Sequence, residues 1–212
     1  MKSSEYRSSS KLLRNSFPVT DIHQMPILKK NDLPYFDDYL PYRDTKNNDI
    51  RSERRSILVH CFQDDYRFES IYNSGTDENA QQIVRQLAQY AAVCTPDYSL
   101  YPQMPLPIQQ EQIFKSRWCG AYWESVGLCV IPTVTWGDEE SFSFCFEGVP
   151  QNSTVAVSTV GCEGFKREFM RGYNEMLCQL NPQYILCYGV PFSEMNGDII
   201  SFPHESFYKE DI

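Results

Sequence analysis

Apolar, β-branched runs that end abruptly in small polar or aromatic residues alternate along this chain with amphipathic segments. Five such runs occur, at Ser56–Phe62, Ala91–Thr95, Leu128–Trp136, Thr154–Thr159 and Tyr184–Gly189. Runs of this length and composition are typical of buried strands. Because amphipathic segments separate them, the pattern predicts an α/β protein with a mainly parallel sheet of about five strands and flanking helices.

Three segments carry apolar residues at helical spacing. The first follows an expected N-cap at Thr76-Asp77-Glu78-Asn79 and extends to Ala91. The second lies between Pro107 and Val126, with an apolar stripe at Ile108, Phe114, Trp118, Ala121 and Tyr122. The third runs from Phe165 to Leu180 and ends at Asn181-Pro182. Residues 141–149 fit both helical spacing and strand alternation, and we favour a short helix because a parallel crossover is needed there.

The two ends of the chain lack regular periodicity. Residues 1–19 are Ser-rich and predict a mobile tail, whereas prolines break residues 20–55 into an irregular segment that wraps the domain. Residues 191–212 predict an irregular C-terminal tail. With 212 residues, we expect a single α/β domain over 20–212. A full eight-unit barrel needs about 250 residues, so the expected architecture resembles a small or incomplete (β/α) barrel.

Composition restricts the binding partners and the cellular location that we expect for the protein. The chain has 19 basic and 28 acidic side chains, a net charge of −9, which disfavours direct nucleic-acid binding. It has no apolar run of signal-peptide or membrane-span length, so we expect a cytoplasmic protein that does not bind membranes. Its eight cysteines form no C-x-x-C pair, which favours reduced thiols over a metal site. We predict no cofactor, and the oligomeric state stays open.

Five stretches, in a fixed order, carry a resemblance to a known family. They are Cys94-Thr95-Pro96-Asp97-Tyr98-Ser99, Gly120-Ala121-Tyr122-Trp123, Val130–Trp136, Val157–Gly161 and Leu186-Cys187-Tyr188-Gly189. From about Pro26 to Phe202 the chain resembles the bacterial and bacteriophage proteins of Domain of Unknown Function 4417. The resemblance implies a bacterial or phage genetic context and a cytoplasmic setting. It supplies no reaction and no catalytic residues.

The residues that follow the predicted strands are the candidate site. Ligands of parallel α/β proteins bind beyond the carboxyl ends of the strands. Asp97 and Asp138 are the candidate catalytic residues, since two neighbouring carboxylates can act as general acid and base. The candidate ligand-binding residues are Tyr98, Ser99, Trp136, Ser158, Thr159 and Tyr188. The alternative is that both acids are ordinary turn and helix-cap residues.

Other reactive side chains offer weaker candidates. His60 lies within a predicted strand, where a core histidine is expected rather than a base. Cys145 and Cys162 lack a histidine partner in the sequence, so a covalent mechanism is disfavoured.

Two classes of function stay open, and whether the protein is an enzyme stays open with them. The acidic charge and the resemblance favour a phage- or mobile-element-type protein that binds a host macromolecule. Its partner would be a host protein, and it could inhibit a nucleic-acid-handling or defence enzyme, because an acidic surface can occupy a basic site. The alternative is an enzyme or small-molecule-binding protein that uses a pocket at the strand ends.

Overall fold

The computed structural model describes residues 17–46, 54–74 and 78–203, and within them the chain alternates strands and helices. The strands are β1 (Asp38–Pro41), β2 (Ile57–His60), β3 (Ala92–Cys94), β4 (Val130–Ile131), β5 (Thr154–Ser158), β6 (Tyr184–Tyr188) and β7 (Ile199–Phe202). The α-helices are α1 (Glu69–Ser74), α2 (Glu78–Leu87), α3 (Leu106–Ser125) and α4 (Lys166–Leu180). Short 3₁₀ helices occur at Tyr42–Lys46, Arg54–Ser56, Asp65–Arg67, Glu139–Ser143 and Glu163–Phe165.

All the strand ladders are parallel, which confirms the predicted fold class. Strands β1 to β4 form one sheet in chain order, and β5 to β7 form a second sheet in the same way. The chain beyond β4 joins the two sheets: Val134 N–H donates to Ala156 O (2.8 Å), and Ala156 N–H donates to Pro132 O (2.9 Å). The seven strands therefore follow one another in space as they do in sequence, as in a (β/α) barrel.

The barrel is incomplete between β1 and β7, which contact each other through side chains. The rings of Tyr39 in β1 and Phe202 in β7 lie 4.9 Å apart, and the Tyr39 hydroxyl donates to Pro203 O (3.4 Å). No ladder joins these two strands in the part of the chain that the structure describes. Side chains from β2 to β7 fill the space that the strands enclose, among them Leu58, Ala92, Cys94, Ile131, Ala156, Leu186 and Tyr188.

Helix α3 is buried on all sides from Lys115 to Trp123, unlike the half-exposed helix that the sequence predicts. Ile108, in the predicted apolar stripe, is 44% exposed, whereas Lys115 and Arg117 are buried. The cause is the segment that precedes β1, which lies across the outer face of the helix. Phe17 packs edge-on against Trp118 (6.1 Å), and Lys29 N–H donates to the Glu124 carboxylate (2.8 Å).

Three elements differ from the sequence prediction. Strand β1 lies within residues 20–55 and β7 within residues 191–212, both of which were expected to be irregular. Helix α1 was not predicted. Each of these elements has at most six residues, too few for a clear hydrophobic period. Over residues 141–149 the structure has the end of a 3₁₀ helix followed by turns. Residues 1–16 of the predicted tail over residues 1–19, and the N-cap at Thr76, lie outside the described residues.

Asn31 closes the gap between the two sheets at the amino ends of the strands. Its side-chain amide donates to Val130 O (3.0 Å) in β4, and its side-chain oxygen accepts from Thr154 N–H (3.2 Å) in β5. The Asn31 side chain thus takes the place of a strand residue between β4 and β5. The irregular segment before β1 is therefore part of how the two sheets are joined.

Replacing Asn31 with alanine is expected to lower the free energy of unfolding by about 1–3 kcal/mol, because it leaves strand-end backbone groups without partners. Urea unfolding at neutral pH measures this difference, and the neighbouring exposed residue provides the control variant, Lys30→Ala. A loss of stability no greater than that of the control would show that water satisfies these backbone groups as well as the Asn31 amide does.

Candidate functional site

A cavity of about 270 Å³ opens at the carboxyl ends of β3, β4 and β5. Three loops line it, those that follow β3, β4 and β5, together with one residue of α4. The lining residues are Asp97, Ser99, Leu100, Tyr101, Val134, Thr135, Trp136, Ser158, Val160, Cys162 and Phe169. The cavity is thus at the edge of the sheet where the sequence places the candidate site, and it is slightly smaller than typical drug-sized pockets of about 300–1,000 Å³.

Four of the eight candidate site residues line this cavity together: Asp97, Ser99, Trp136 and Ser158. They come from three different strand ends, so the parallel topology brings them together. The other four, Tyr98, Asp138, Thr159 and Tyr188, are not among the lining residues.

Tyr98, Thr159 and Tyr188 are buried and pack elsewhere. Tyr98 packs in the layer between the sheet and the helices, with its ring edge-on to Phe68 (5.0 Å). The Thr159 hydroxyl donates to Val190 O (2.9 Å) and holds the loop after β6. Tyr188 lies inside the barrel, where its ring stacks on Phe62 (5.3 Å) and contacts His60 (4.6 Å).

Asp138 is the N-cap of the 3₁₀ helix Glu139–Ser143. Its backbone is extended, and its carboxylate accepts a hydrogen bond from Glu140 N–H (3.2 Å). This is the geometry of the helix-cap alternative for this acid. Asp97 and Asp138 therefore do not share the lining of the cavity.

Asp97 has another acid beside it, Asp65, from the loop after β2. Ser99 links the two loops, because its backbone N–H (3.2 Å) and its hydroxyl (2.9 Å) both donate to the Asp65 carboxylate. The Asp97 carboxyl group receives no hydrogen bond and no ion pair from residues 17–46, 54–74 or 78–203. Burial, and next the negative charge of Asp65, raise the pKa of Asp97 from 3.8 to about 7. Asp97 is thus an acid that can gain or lose its proton near neutral pH.

Aromatic rings form one wall of the cavity. Trp136 lies against Phe169 of α4, with ring centroids 5.1 Å apart. Helix α4 makes room for the indole at Gly172, where an added Cβ would stand 2.2 Å from the indole ring. The glycine in the helix is therefore what allows Trp136 to lie flat against α4.

Cys162 contributes a neutral thiol to the lining. Burial raises its pKa to about 11, with smaller effects from the charges of Glu163 and Asp97. The thiol lies 3.9 Å from Ser158 O. A thiolate nucleophile is therefore disfavoured here, in line with the sequence argument.

Among residues 17–46, 54–74 and 78–203, no three His, Cys, Asp or Glu side chains are grouped to hold a metal ion. Within those ranges, no helix combines the length and apolar character needed to cross a bilayer. All eight cysteines are free, and Cys129 is exposed although it lies within the apolar run Leu128–Trp136.

The family model for a domain of unknown function, DUF4417, matches residues 17–205. The chain belongs to this family. The match includes every strand and helix of the barrel and all the residues that line the cavity.

Two curated relatives come from bacteriophages, so the chain is a phage-type protein. The Gene 1 protein of Mycobacterium phage L5 is 35% identical over 180 residues, which cover 84% of this chain and 76% of the relative. The Gene 1 protein of Mycobacterium phage D29 is 33% identical over 184 residues, covering 84% of this chain and 64% of the relative. The chain thus spans less than two thirds of the second relative. No solved structure matches the sequence.

Asp65 is the residue beside the site that the sequence analysis missed. It follows β2, so the rule that selected Asp97 after β3 also applies to it. The signal was the Asp64-Asp65 pair directly after an apolar run, which resembles ordinary turn chemistry. The hydrogen bonds from Ser99 identify Asp65, and not Asp64, as the acid next to the site.

Proposed function

We propose that this protein binds a small molecule in the cavity at the strand ends and exchanges a proton with it through Asp97. The observation that carries the proposal is the carboxyl group of Asp97, which lines the cavity, has a pKa of about 7 and is hydrogen-bonded to nothing in the described ranges. A group acts best as general acid or base when its pKa lies near the working pH.

The surroundings of Asp97 support this role. Asp97 is partly exposed where it lines the cavity, and its carboxyl group accepts no hydrogen bond from the described residues, so it has capacity for a ligand. Asp65 contributes the nearby negative charge, and Ser99 holds Asp65 in place. Paired carboxylates were proposed from the sequence, and the pair supported here is Asp97 with Asp65. Strongly shifted carboxyl groups in a cleft are typical of functional sites.

The experiment compares ligand binding by the wild-type protein and a variant with a filled cavity. The substitution Gly172→Ala adds a methyl group where the indole of Trp136 lies, so it should push the ring into the cavity. Thermal-shift screening of small molecules should find compounds that stabilise the wild-type protein by about 2.7 kcal/mol at 100 times their dissociation constant. The same compounds should bind Gly172→Ala at least about tenfold more weakly than they bind the wild-type protein.

Gly164→Ala is the matched control. Gly164 lies in the 3₁₀ helix Glu163–Phe165, and no atom lies within 4 Å of an added Cβ. This variant should keep wild-type ligand binding. Equal protection of wild type and Gly172→Ala by every compound found would place the binding site elsewhere and contradict the proposal.

Binding of a host macromolecule stays a prediction from charge and family context, as does the cytoplasmic, mobile-element setting. The net charge of −9 and the phage relatives support it. Four large apolar side chains are exposed in the connections that follow the strands: Tyr66, Tyr101, Phe165 and Val190. Exposed apolar surface of this kind is common where proteins bind one another.

A further inference from the structure

Building on the proposed function, we infer that the cavity takes an uncharged, flat nitrogen heterocycle with a ring nitrogen beside an exocyclic amine. Adenine and cytosine have such an edge. The ring would lie against Trp136, and its polar edge would meet the carboxyl group of Asp97.

The charge of the lining excludes anionic ligands. None of the lining residues is Lys, Arg or His, and Asp97 is the one carboxylic acid among them. A phosphate or carboxylate group would lose its water without gaining a cation. A free base or nucleoside fits the cavity, whereas a nucleotide would have to keep its phosphates outside.

The polar groups of the lining favour a ring with one polar edge over a sugar. The Ser99 hydroxyl already donates to Asp65 (2.9 Å), and the Ser158 hydroxyl accepts from Val160 N–H (3.2 Å). Asp97 has no such internal hydrogen bond. A polyol needs partners for many hydroxyl groups, while a flat heterocycle needs them along one edge. The apolar lining, at Leu100, Val134, Val160 and Phe169, suits the remaining surface of a ring.

The protonated form of Asp97 determines which edge of a heterocycle can hydrogen-bond to it. A protonated carboxyl group presents one O–H donor beside one C=O acceptor, which matches a ring nitrogen beside an amine. The ionised form has acceptors only, and it matches the two donors of guanine instead. The inference therefore depends on which form Asp97 has near neutral pH.

The groups that face Asp97 favour its acid form below pH 7. Asp65, from the loop after β2, and burial together raise the pKa of Asp97 to about 7. Cys61, Cys94 and Cys162 approach from three strand ends, and burial raises the pKa of each of these thiols. They stay neutral below pH 8, so Asp65 is the charged neighbour. Adenine binding should fall about tenfold from pH 6 to pH 8 as Asp97 loses its proton.

Isothermal titration calorimetry with adenine, cytosine, guanine and uracil at pH 6 and pH 8 tests the inference. Adenine and cytosine should bind at pH 6, more tightly than uracil, and more weakly at pH 8. Asp97→Asn keeps a donor and an acceptor at the same place, so it should bind adenine within about threefold of wild type at pH 6 and lose the pH dependence. Asp97→Ala should bind about 10–100-fold more weakly.

The control variant is Asp32→Asn, an exposed acid in the segment before β1, which should behave as wild type. Equal binding of all four bases, or no loss in Asp97→Ala, would overturn the heterocycle inference. If sugars or amines bind instead and Asp97→Ala abolishes their binding, the inference fails while the proposed function stands. If no compound of any class protects the wild-type protein in the thermal-shift screen, both fail.

Discussion

Replacing Asp97 with asparagine is expected to stabilise the protein by roughly 2–4 kcal/mol at pH 8 and to leave its stability almost unchanged at pH 4. The pKa of this carboxyl group rises from 3.8 to about 7 on folding, because of burial and then the charge of Asp65. Between those values the folded protein holds a proton that the unfolded chain has released. Stability therefore falls as the pH rises from about 4 to about 7 and stays lower above that. Asparagine does not titrate, so the variant lacks this loss.

Urea unfolding at several pH values between 4 and 8 measures the effect. The difference in the free energy of unfolding between wild type and Asp97→Asn should increase across this range and then become constant. Asp32→Asn should follow the wild-type curve, since that acid is exposed. Two curves that stay parallel at all pH values would mean that folding leaves the carboxyl group of Asp97 as acidic as in water. Stabilisation on removing an acid is typical of a functional site, where activity is kept at the expense of stability.

The strands that the sequence predicted well are those buried on both faces. β5 and β6 are buried at nearly every position, and β2 is buried at all four. Such runs are the signature of a parallel sheet covered by helices. The run Leu128–Trp136 is longer than its strand, because only Val130 and Ile131 pair in the first sheet. Beyond them the chain turns towards β5, and local sequence does not show where a strand changes its partner.

Contacts between distant parts of the chain explain what was missed. Strand β1 exists because Asp38–Pro41 pairs with Ile57–His60, and its own sequence of four residues has no clear period. β7 similarly depends on pairing with β6. The role of Asn31 could not be predicted, since a polar residue between prolines is typical of a surface loop. Its partners are about 100 residues away or more.

Four of the eight residues that the strand-end rule selected line the cavity, and the rule could not go further. It selected residues by position, and position fixes which edge of the sheet a residue occupies. The direction of each side chain depends on neighbours: Tyr98 and Ser99 are adjacent, yet Ser99 lines the cavity and Tyr98 packs behind the sheet. Asp138 precedes two glutamates, a pattern typical of a helix start, and the structure has it as a cap.

Arg117 is the side chain with the largest expected effect on stability. From its position in α3 it would be judged a surface residue, yet it is fully buried. Its guanidinium group donates to three backbone carbonyl oxygens: Thr133 O (2.9 Å), Cys145 O (2.9 Å) and Glu147 O (3.1 Å). Burial lowers the pKa of Arg117 to about 10. One side chain thus ties α3 to the segment that joins the two sheets and to the turns after the 3₁₀ helix.

Replacing Arg117 with methionine is expected to destabilise the protein by about 3–5 kcal/mol, because three buried carbonyl groups lose their donor while the apolar stem is kept. Lysine should recover only part of the loss, since an ammonium group lacks the planar fork that reaches all three oxygens. Arg167→Met on the exposed face of α4 is the matched control, with a change expected within about 0.5 kcal/mol. Urea unfolding monitored by tryptophan fluorescence measures all three variants. A loss for Arg117→Met as small as that of the control would mean that the cost of burying the charge equals the value of its hydrogen bonds.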